Sequence, residues 1–143
     1  MKKNVKITFC GGTGSVTGAN FLIEIEDKKF LIDCGLTQGI KLADDLNWAP
    51  FIYDPKSIDI LFVTHAHVDH LGRIPKLIND GFRGKIYSTH PTRALAGPML
   101  EDTMGILSKS TEFDLNKIYT EENNKLALSL WGGFDYHEKI QLT

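Results

Sequence analysis

The stretch Asp59-Ile60-Leu61-Phe62-Val63-Thr64-His65-Ala66-His67-Val68-Asp69-His70 decides how this sequence is interpreted. Its first half, residues 59–64, is a continuous apolar run of strand length, which is typical of a strand buried on both faces of a sheet. Side chains that can bind metals begin where this run stops, and they are His65, His67, Asp69 and His70. Open α/β sheets bind ligands beyond the carboxyl ends of their strands, so a functional site is predicted here.

The spacing of these four side chains divides them into two pairs. In extended backbone, residues two apart point to the same side, so His65 and His67 can reach one ion. Asp69 and His70 lie where the loop turns into a helix, and they can reach a second ion. Imidazole and carboxylate ligands suit zinc, manganese or iron. A histidine-rich surface loop is the alternative, but three of the chain's five histidines lie within these six residues.

Two pairs leave each ion short of the roughly three protein ligands that a catalytic zinc ion has. His137 is a possible further ligand. His90 precedes Pro91 and is interpreted as a helix-start or surface residue instead. Asp33 ends a predicted strand, and it either orients a metal-bound histidine from behind or serves as a turn residue.

The composition is that of one globular domain: 143 residues, 42% hydrophobic and 24% charged. The formal net charge of −2 does not indicate a nucleic-acid partner by itself. The two cysteines, Cys10 and Cys34, are too few for a disulfide framework, and Cys34 is expected to be a small buried hydrophobe. No apolar run approaches membrane-span length and no secretory signal is recognisable, so a reduced, cytoplasmic protein is expected.

Hydrophobic periodicity predicts an α/β fold with a mixed sheet, in the order β-β-β-β-α-β-α-α-β. The predicted strands are residues 5–10, 21–26, 30–34, 59–64, 85–88 and 136–142, and the predicted helices are about 71–78, 91–108 and 120–131. Pro98 is expected to kink or split the second helix, and Thr120 to cap the third. The segment Gly11-Gly12-Thr13-Gly14 resembles a phosphate-binding loop only loosely, because it lacks the Lys-Ser/Thr pair.

The segment His65-Ala66-His67-Val68-Asp69-His70-Leu71-Gly72 resembles the His-x-His-x-Asp-His signature of the metallo-β-lactamase superfamily. Four further segments are similar to its β-CASP branch of RNA-processing nucleases, namely residues 11–20, 31–39, 86–92 and 119–122. The resemblance implies a partial metallo-β-lactamase αβ/βα fold and two zinc ions. It implies that His65 and His67 bind one ion and that Asp69 and His70 bind the other. It also implies a supporting role for Asp33, and a catalytic role for Asp69 in orienting the water that attacks an RNA phosphodiester.

The sequence departs from the family pattern because the downstream ligands and the inserted β-CASP domain are not among its residues. Residues 1–143 are therefore interpreted as the N-terminal part of a metallo-β-lactamase-like domain, with partial or no zinc occupancy and no activity alone. A sheet edge at the last predicted strand would favour a homodimer or a domain-swapped assembly. RNA is the expected partner of the full-length protein, and no membrane is expected. The alternatives are a small-molecule metallohydrolase acting on a thioester or lactone, and a non-catalytic RNA-binding or scaffold module.

Overall fold

The computed structural model describes residues 4–40, 43–107, 109 and 115–142. Six strands form one mixed sheet in sequential order: β1 (Val5–Gly11), β2 (Asn20–Ile25), β3 (Lys28–Ile32), β4 (Ile60–Phe62), β5 (Lys85–Thr89) and β6 (Trp131–Phe134). The first three strands are an antiparallel meander, whereas β3 to β6 run parallel. The predicted α/β fold with a mixed sheet is confirmed.

The described ranges contain five α-helices beside two short 3-10 turns: α1 (Ala43–Trp48), α2 (Val68–Leu71), α3 (Ile74–Asn79), α4 (His90–Leu107) and α5 (Glu121–Ser129). The side chain of Thr120 accepts a hydrogen bond from the Asn123 amide, as predicted for the cap of α5. Pro98 lies inside α4 without splitting it, and the predicted end of that helix at Ser108 lies outside the described residues. None of the helices in the described ranges is long and apolar enough to cross a bilayer.

The core lies between the helices and one face of the sheet. A single row of paired residues crosses five strands on that face, and all its members are buried: Leu22, Leu31, Leu61, Ile86 and Trp131. Apolar side chains of α2, α3, α4 and α5 complete the cluster. The neighbouring residues of β4, Ile60 and Phe62, are only half-buried, so β4 is fully buried on one face and not on both.

The last strand is where the sequence prediction is wrong. It comprises Trp131–Phe134, while residues 135–142 form no strand and His137 has a left-handed backbone with φ 63°. Glycine has a low strand propensity, so the sequence pattern of this segment does not predict a strand. Gly132 is needed there because a Cβ at this position would lie 2.7 Å from the Tyr87 ring. The sheet edge expected at residues 136–142 is therefore absent, and the homodimer or domain swap inferred from it has no support in the described structure.

The predicted helix over residues 71–78 is interrupted, because α2 ends at Leu71 and α3 begins at Ile74, with Pro75 in its first turn. The preceding segment, residues 64–70, is here called the histidine loop. Backbone hydrogen bonds attach it to two other segments: Ala19 donates to the Asp69 carbonyl (3.0 Å), and Cys34 donates to the His70 carbonyl (2.8 Å). A Cβ at Gly35 would lie 1.6 Å from the Asp69 carbonyl oxygen, so only glycine permits this contact.

A buried amide links the start of β2 to the end of β3. Asn20 is fully buried, donates through Nδ2 to the Asp33 carbonyl at 2.7 Å, and accepts a hydrogen bond from the Tyr53 hydroxyl at 3.0 Å. Losing this side chain would leave a buried carbonyl and a half-buried hydroxyl without their partners, and each such loss is costly.

We expect Asn20→Ala to lower the free energy of unfolding by about 2–3 kcal/mol, measured by urea denaturation followed by circular dichroism. Asn79→Ala is the matched control, because the Asn79 side chain is exposed at the end of α3 and bonds only its neighbour Asp80. The control should stay within about 0.5 kcal/mol of the wild type. Equal losses in the two variants would contradict the structural role given to Asn20.

Candidate metal centre

The four metal-ligand candidates of the sequence lie together at the carboxyl end of β4. His65 and His67 belong to the extended part of the histidine loop, and Asp69 and His70 lie in α2. The ring centroids of His65 and His70 are 4.0 Å apart, and those of His65 and His67 are 4.7 Å apart. Within the described residues, no three His, Cys, Asp or Glu side chains surround one point as a complete metal site would. The donors instead occur as two adjacent pairs.

The first pair has the spacing of two ligands of one ion. Nε2 of His65 and Nδ1 of His67 are 3.0 Å apart. Two imidazole nitrogens on one tetrahedral zinc, each bonded at about 2.0–2.1 Å, lie about 3.3 Å apart. The pair therefore needs to open by only a few tenths of an ångström to share an ion.

The second pair has similar geometry. Nε2 of His70 and Oδ2 of Asp69 are 3.4 Å apart. Both donors are partly exposed, so an ion and a water molecule can reach them. The donor chemistry of the two pairs, three imidazoles and one carboxylate, suits zinc.

Asp33 supports the cluster from behind. Its carboxylate is buried, and Oδ2 lies 2.7 Å from Nδ1 of His70. A carboxylate accepts only, so Nδ1 of a neutral His70 carries the proton and Nε2 keeps its lone pair for a metal. Asp33 has a left-handed backbone (φ 60°), an uncommon conformation that aspartate tolerates better than most residues and that recurs at functional sites.

Thr64 contacts both Asp33 and His65 at this cluster, and the sequence analysis did not single it out. Its amide and its hydroxyl both donate to the Asp33 carboxylate, each at 2.8 Å. Because the hydroxyl proton is used there, the hydroxyl oxygen accepts from Nδ1 of His65, which lies 3.0 Å away. His65 therefore also presents an unprotonated Nε2. The one signal in the sequence was the position of Thr64 directly before the first histidine.

The charge state of His65 suits metal binding. Partial burial lowers the pKa of His65, and the neighbouring His70 and His67 lower it further. The neutral imidazole, which is the form that binds metals, is therefore favoured. Beside this ring, a cavity of about 320 Å³ is lined by His65, Ala66 and His67 and by Pro91, Thr92, Leu95 and Met99 of α4.

The other candidates of the sequence lie outside the cluster. His90 is the exposed first residue of α4, in keeping with a helix-start role, and its ring lies against Gly133. His137 is exposed in a turn beyond β6. Cys34 is fully buried, and burial raises the pKa of its thiol to about 11, so it acts as a small hydrophobe.

Comparison with known proteins identifies the family. The model of the metallo-beta-lactamase superfamily matches residues 14–132. Ribonuclease TTHA0252 of Thermus thermophilus is 40% identical over 105 residues, which are 73% of this chain and 24% of the relative. The cleavage and polyadenylation specificity factor 73 of Drosophila melanogaster is 32% identical over 130 residues, which are 90% of this chain and 18% of the relative. The chain thus spans about a quarter or less of the length of these curated relatives.

One solved structure has the same fold over nearly the whole chain. It is a protein of unknown function from Enterococcus faecalis V583, with a TM-score of 0.61 and 17% identity, and the match covers 99% of this chain and 36% of that one. The family match and the ribonuclease relatives confirm the resemblance seen in the sequence. The chain belongs to the metallo-β-lactamase superfamily, in its β-CASP branch.

Proposed function

We propose that this chain carries part of a zinc-dependent active site that hydrolyses RNA phosphodiester bonds. The observation that carries the proposal is the division of the histidine loop into two donor pairs. His65 and His67 would hold one zinc ion, and Asp69 and His70 would hold a second. Zinc at these positions would supply Lewis acidity for the scissile phosphate and a water molecule acidic enough to attack it.

The residues of this chain have distinct tasks in that proposal. Asp33 acts as a positioning residue, directly on His70 and through Thr64 on His65, and it keeps both Nε2 atoms available. Asp69 is the proposed catalytic residue, because its carboxylate can bind an ion with one oxygen and orient the attacking water with the other.

RNA is favoured over other substrates because the curated relatives carry names such as ribonuclease and cleavage and polyadenylation specificity factor. A thioester or lactone hydrolase would use the same pairs, since one fold hosts many reactions. A scaffold without catalysis is disfavoured because all four donors are present and oriented. The net charge of −2 implies that local groups, and not the field of the whole chain, would contact RNA.

Each proposed ion has only two protein ligands in this chain, whereas a catalytic zinc has about three. We therefore propose that residues 1–143 alone bind zinc weakly or as a single ion and do not hydrolyse RNA. The matches cover only 24% and 18% of the lengths of these two relatives, which supports an active protein built from more than this segment.

Zinc binding tests the pairs. His65→Ala is expected to weaken zinc binding at least tenfold, because His67 then remains as the single donor of its pair. Competition with a chromophoric chelator measures the affinity, and metal analysis after dialysis measures the stoichiometry. His90→Ala is the matched control, since it removes an exposed histidine outside the cluster, and its affinity should be unchanged. Equal affinities for His65→Ala and wild type would contradict the pairing, and stoichiometric retention of two zinc ions by the wild type would contradict weak binding.

Asp33→Asn tests the positioning role. An amide nitrogen facing His70 would donate to Nδ1, so the ring proton would move to Nε2 and block the proposed metal-binding atom. We expect zinc affinity to fall roughly 10- to 100-fold. Nitrogen-15 NMR of the imidazole rings should report the Nε2–H tautomer of His70 in a chain whose amide spectrum remains that of the folded protein, which a loss of packing would not leave unchanged. An unchanged tautomer with unchanged affinity would exclude this role.

RNA cleavage tests the substrate. The chain alone, with zinc, is expected to cleave a 5′-labelled single-stranded RNA no faster than zinc buffer. A chimera in which this chain replaces the matching segment of the Thermus ribonuclease should cleave it, and Asp69→Asn should slow the chimera at least 100-fold. Circular dichroism and zinc content establish that both chimeras are folded and loaded. A loaded chimera that left RNA intact but opened a lactone or thioester would overturn the RNA assignment.

A further inference from the structure

A second cavity, of about 240 Å³, lies beside the glycine-rich segment of residues 11–17, here called the glycine loop. Its lining combines part of β1 and the glycine loop with residues from three other places in the chain: Cys10, Gly11, Gly12, Thr13, Ser15, Thr17, Thr37, Ile40, Leu46 and Arg73. None of the four metal-ligand candidates lines it, so it is separate from the metal centre. Among the described residues, its polar lining consists of hydroxyl groups and one arginine without an acidic side chain, and Ile40 and Leu46 add apolar surface.

Arg73 is a buried cation that has no acidic partner among the described side chains. Only 7% of it is exposed, and no described Asp or Glu oxygen lies within 4.0 Å of its nitrogens. Its Nε donates to the Gly35 carbonyl at 2.7 Å, and one terminal nitrogen makes a long 3.4 Å contact with the Leu46 carbonyl. The guanidinium has five N–H groups, so most of its donor capacity remains unused.

Lys76 shows what this fold otherwise does with a buried cation. It is 4% exposed, and it forms an ion pair with Asp80 at 2.5 Å. Both cations also lie over the Phe51 ring, with Arg73 at 5.2 Å and Lys76 at 4.2 Å from its centroid. A buried charge is costly unless it is paired. Lys76 has a counter-ion, whereas none of the described side chains supplies one for Arg73.

The glycine loop adds further donors to the same cavity. Thr13 and Ser15 of this loop line the cavity at exposed positions, and in the described structure their amide N–H groups and the Thr13 hydroxyl have no protein acceptor. Gly12 and Gly14 have φ values of 75° and 72°, and left-handed positions of this kind occur in the backbone nests that bind anions. Thr17 anchors the loop, because its hydroxyl bonds both the amide and the carbonyl of Gln38.

We propose that this cavity binds a phosphate group, with the Arg73 guanidinium as counter-charge and the loop amides and the Thr13 hydroxyl as further donors. Arginine matches phosphate because its planar fork donates two parallel hydrogen bonds. The phosphate can belong to free inorganic phosphate or to the backbone of a polynucleotide. The polynucleotide source rests on the proposed function, whereas the proposal of a phosphate site does not depend on it.

Phosphate titration of the chain, followed by amide NMR in the presence of a metal chelator, tests the site without the metal centre. Inorganic phosphate should shift the amides of residues 12–16 saturably, in roughly the millimolar range. Chloride at equal ionic strength should not. Arg73→Lys keeps the charge but loses the fork, and it should weaken binding at least fivefold. Thr13→Val, a change at an exposed loop position, should weaken it at least twofold and keeps the test decisive if Arg73 variants fail to fold.

Arg93→Met is the matched control, because it removes an exposed arginine of α4, and its phosphate affinity should equal that of the wild type. A six-nucleotide single-stranded RNA, titrated in the same way, separates the two sources. Tighter binding of RNA than of inorganic phosphate at the same amides supports a polynucleotide ligand, and phosphate binding alone supports a small anion. Absence of saturable shifts at these amides with either probe, or wild-type affinity in folded Arg73→Lys, would overturn the proposal. If the chimera failed on RNA while these shifts persisted, the proposed function alone would fail.

Discussion

The carboxylate of Asp33 is the group on which the candidate centre depends. It accepts hydrogen bonds from the Thr64 amide, from the Thr64 hydroxyl and from Nδ1 of His70. These bonds join the end of β3 to the end of β4 and to α2, whose bonded residues lie 31 and 37 positions further along the chain. Because the carboxylate is buried, little water competes for its hydrogen bonds. The orientations of His70 and, through Thr64, of His65 are therefore held firmly.

The parallel pairing of β3 with β4 makes this contact possible. Parallel strands end at the same edge, so Asp33 after β3 and Thr64 after β4 meet there. Backbone bonds from Ala19, Cys34 and Leu36 then hold the histidine loop at three points, and Gly35 lets the two backbones touch. The donor pairs are consequently oriented by the fold before any ion is bound, which lowers the entropic cost of assembling a metal centre.

The same region contains two buried cations that are treated differently. Lys76 is neutralised by Asp80, whereas Arg73 is left to face a cavity with hydroxyl and amide donors. A fold that needed Arg73 for packing alone could place an acid beside it. The glycines of the glycine loop alone do not distinguish an anion site from an ordinary turn. The proposal of an anion site depends on Arg73, which has no described counter-charge, and on the loop amides without protein acceptors.

The sequence by itself determined the features that depend on near neighbours. The i, i+2 spacing of His65 and His67, the hairpin of β2 and β3, the cap at Thr120 and the family of the chain were all readable from local pattern. Only the tertiary structure decided that Asp33 reaches His70 across 37 positions and that Thr64 relays this contact to His65. The tertiary structure left Arg73 without an acidic partner among the described side chains. It also moved the last strand to Trp131–Phe134, where pairing with β5 overrides two glycines. Local patterns follow from backbone geometry over a few residues, whereas these contacts follow from strand order and register, which join distant parts of the chain.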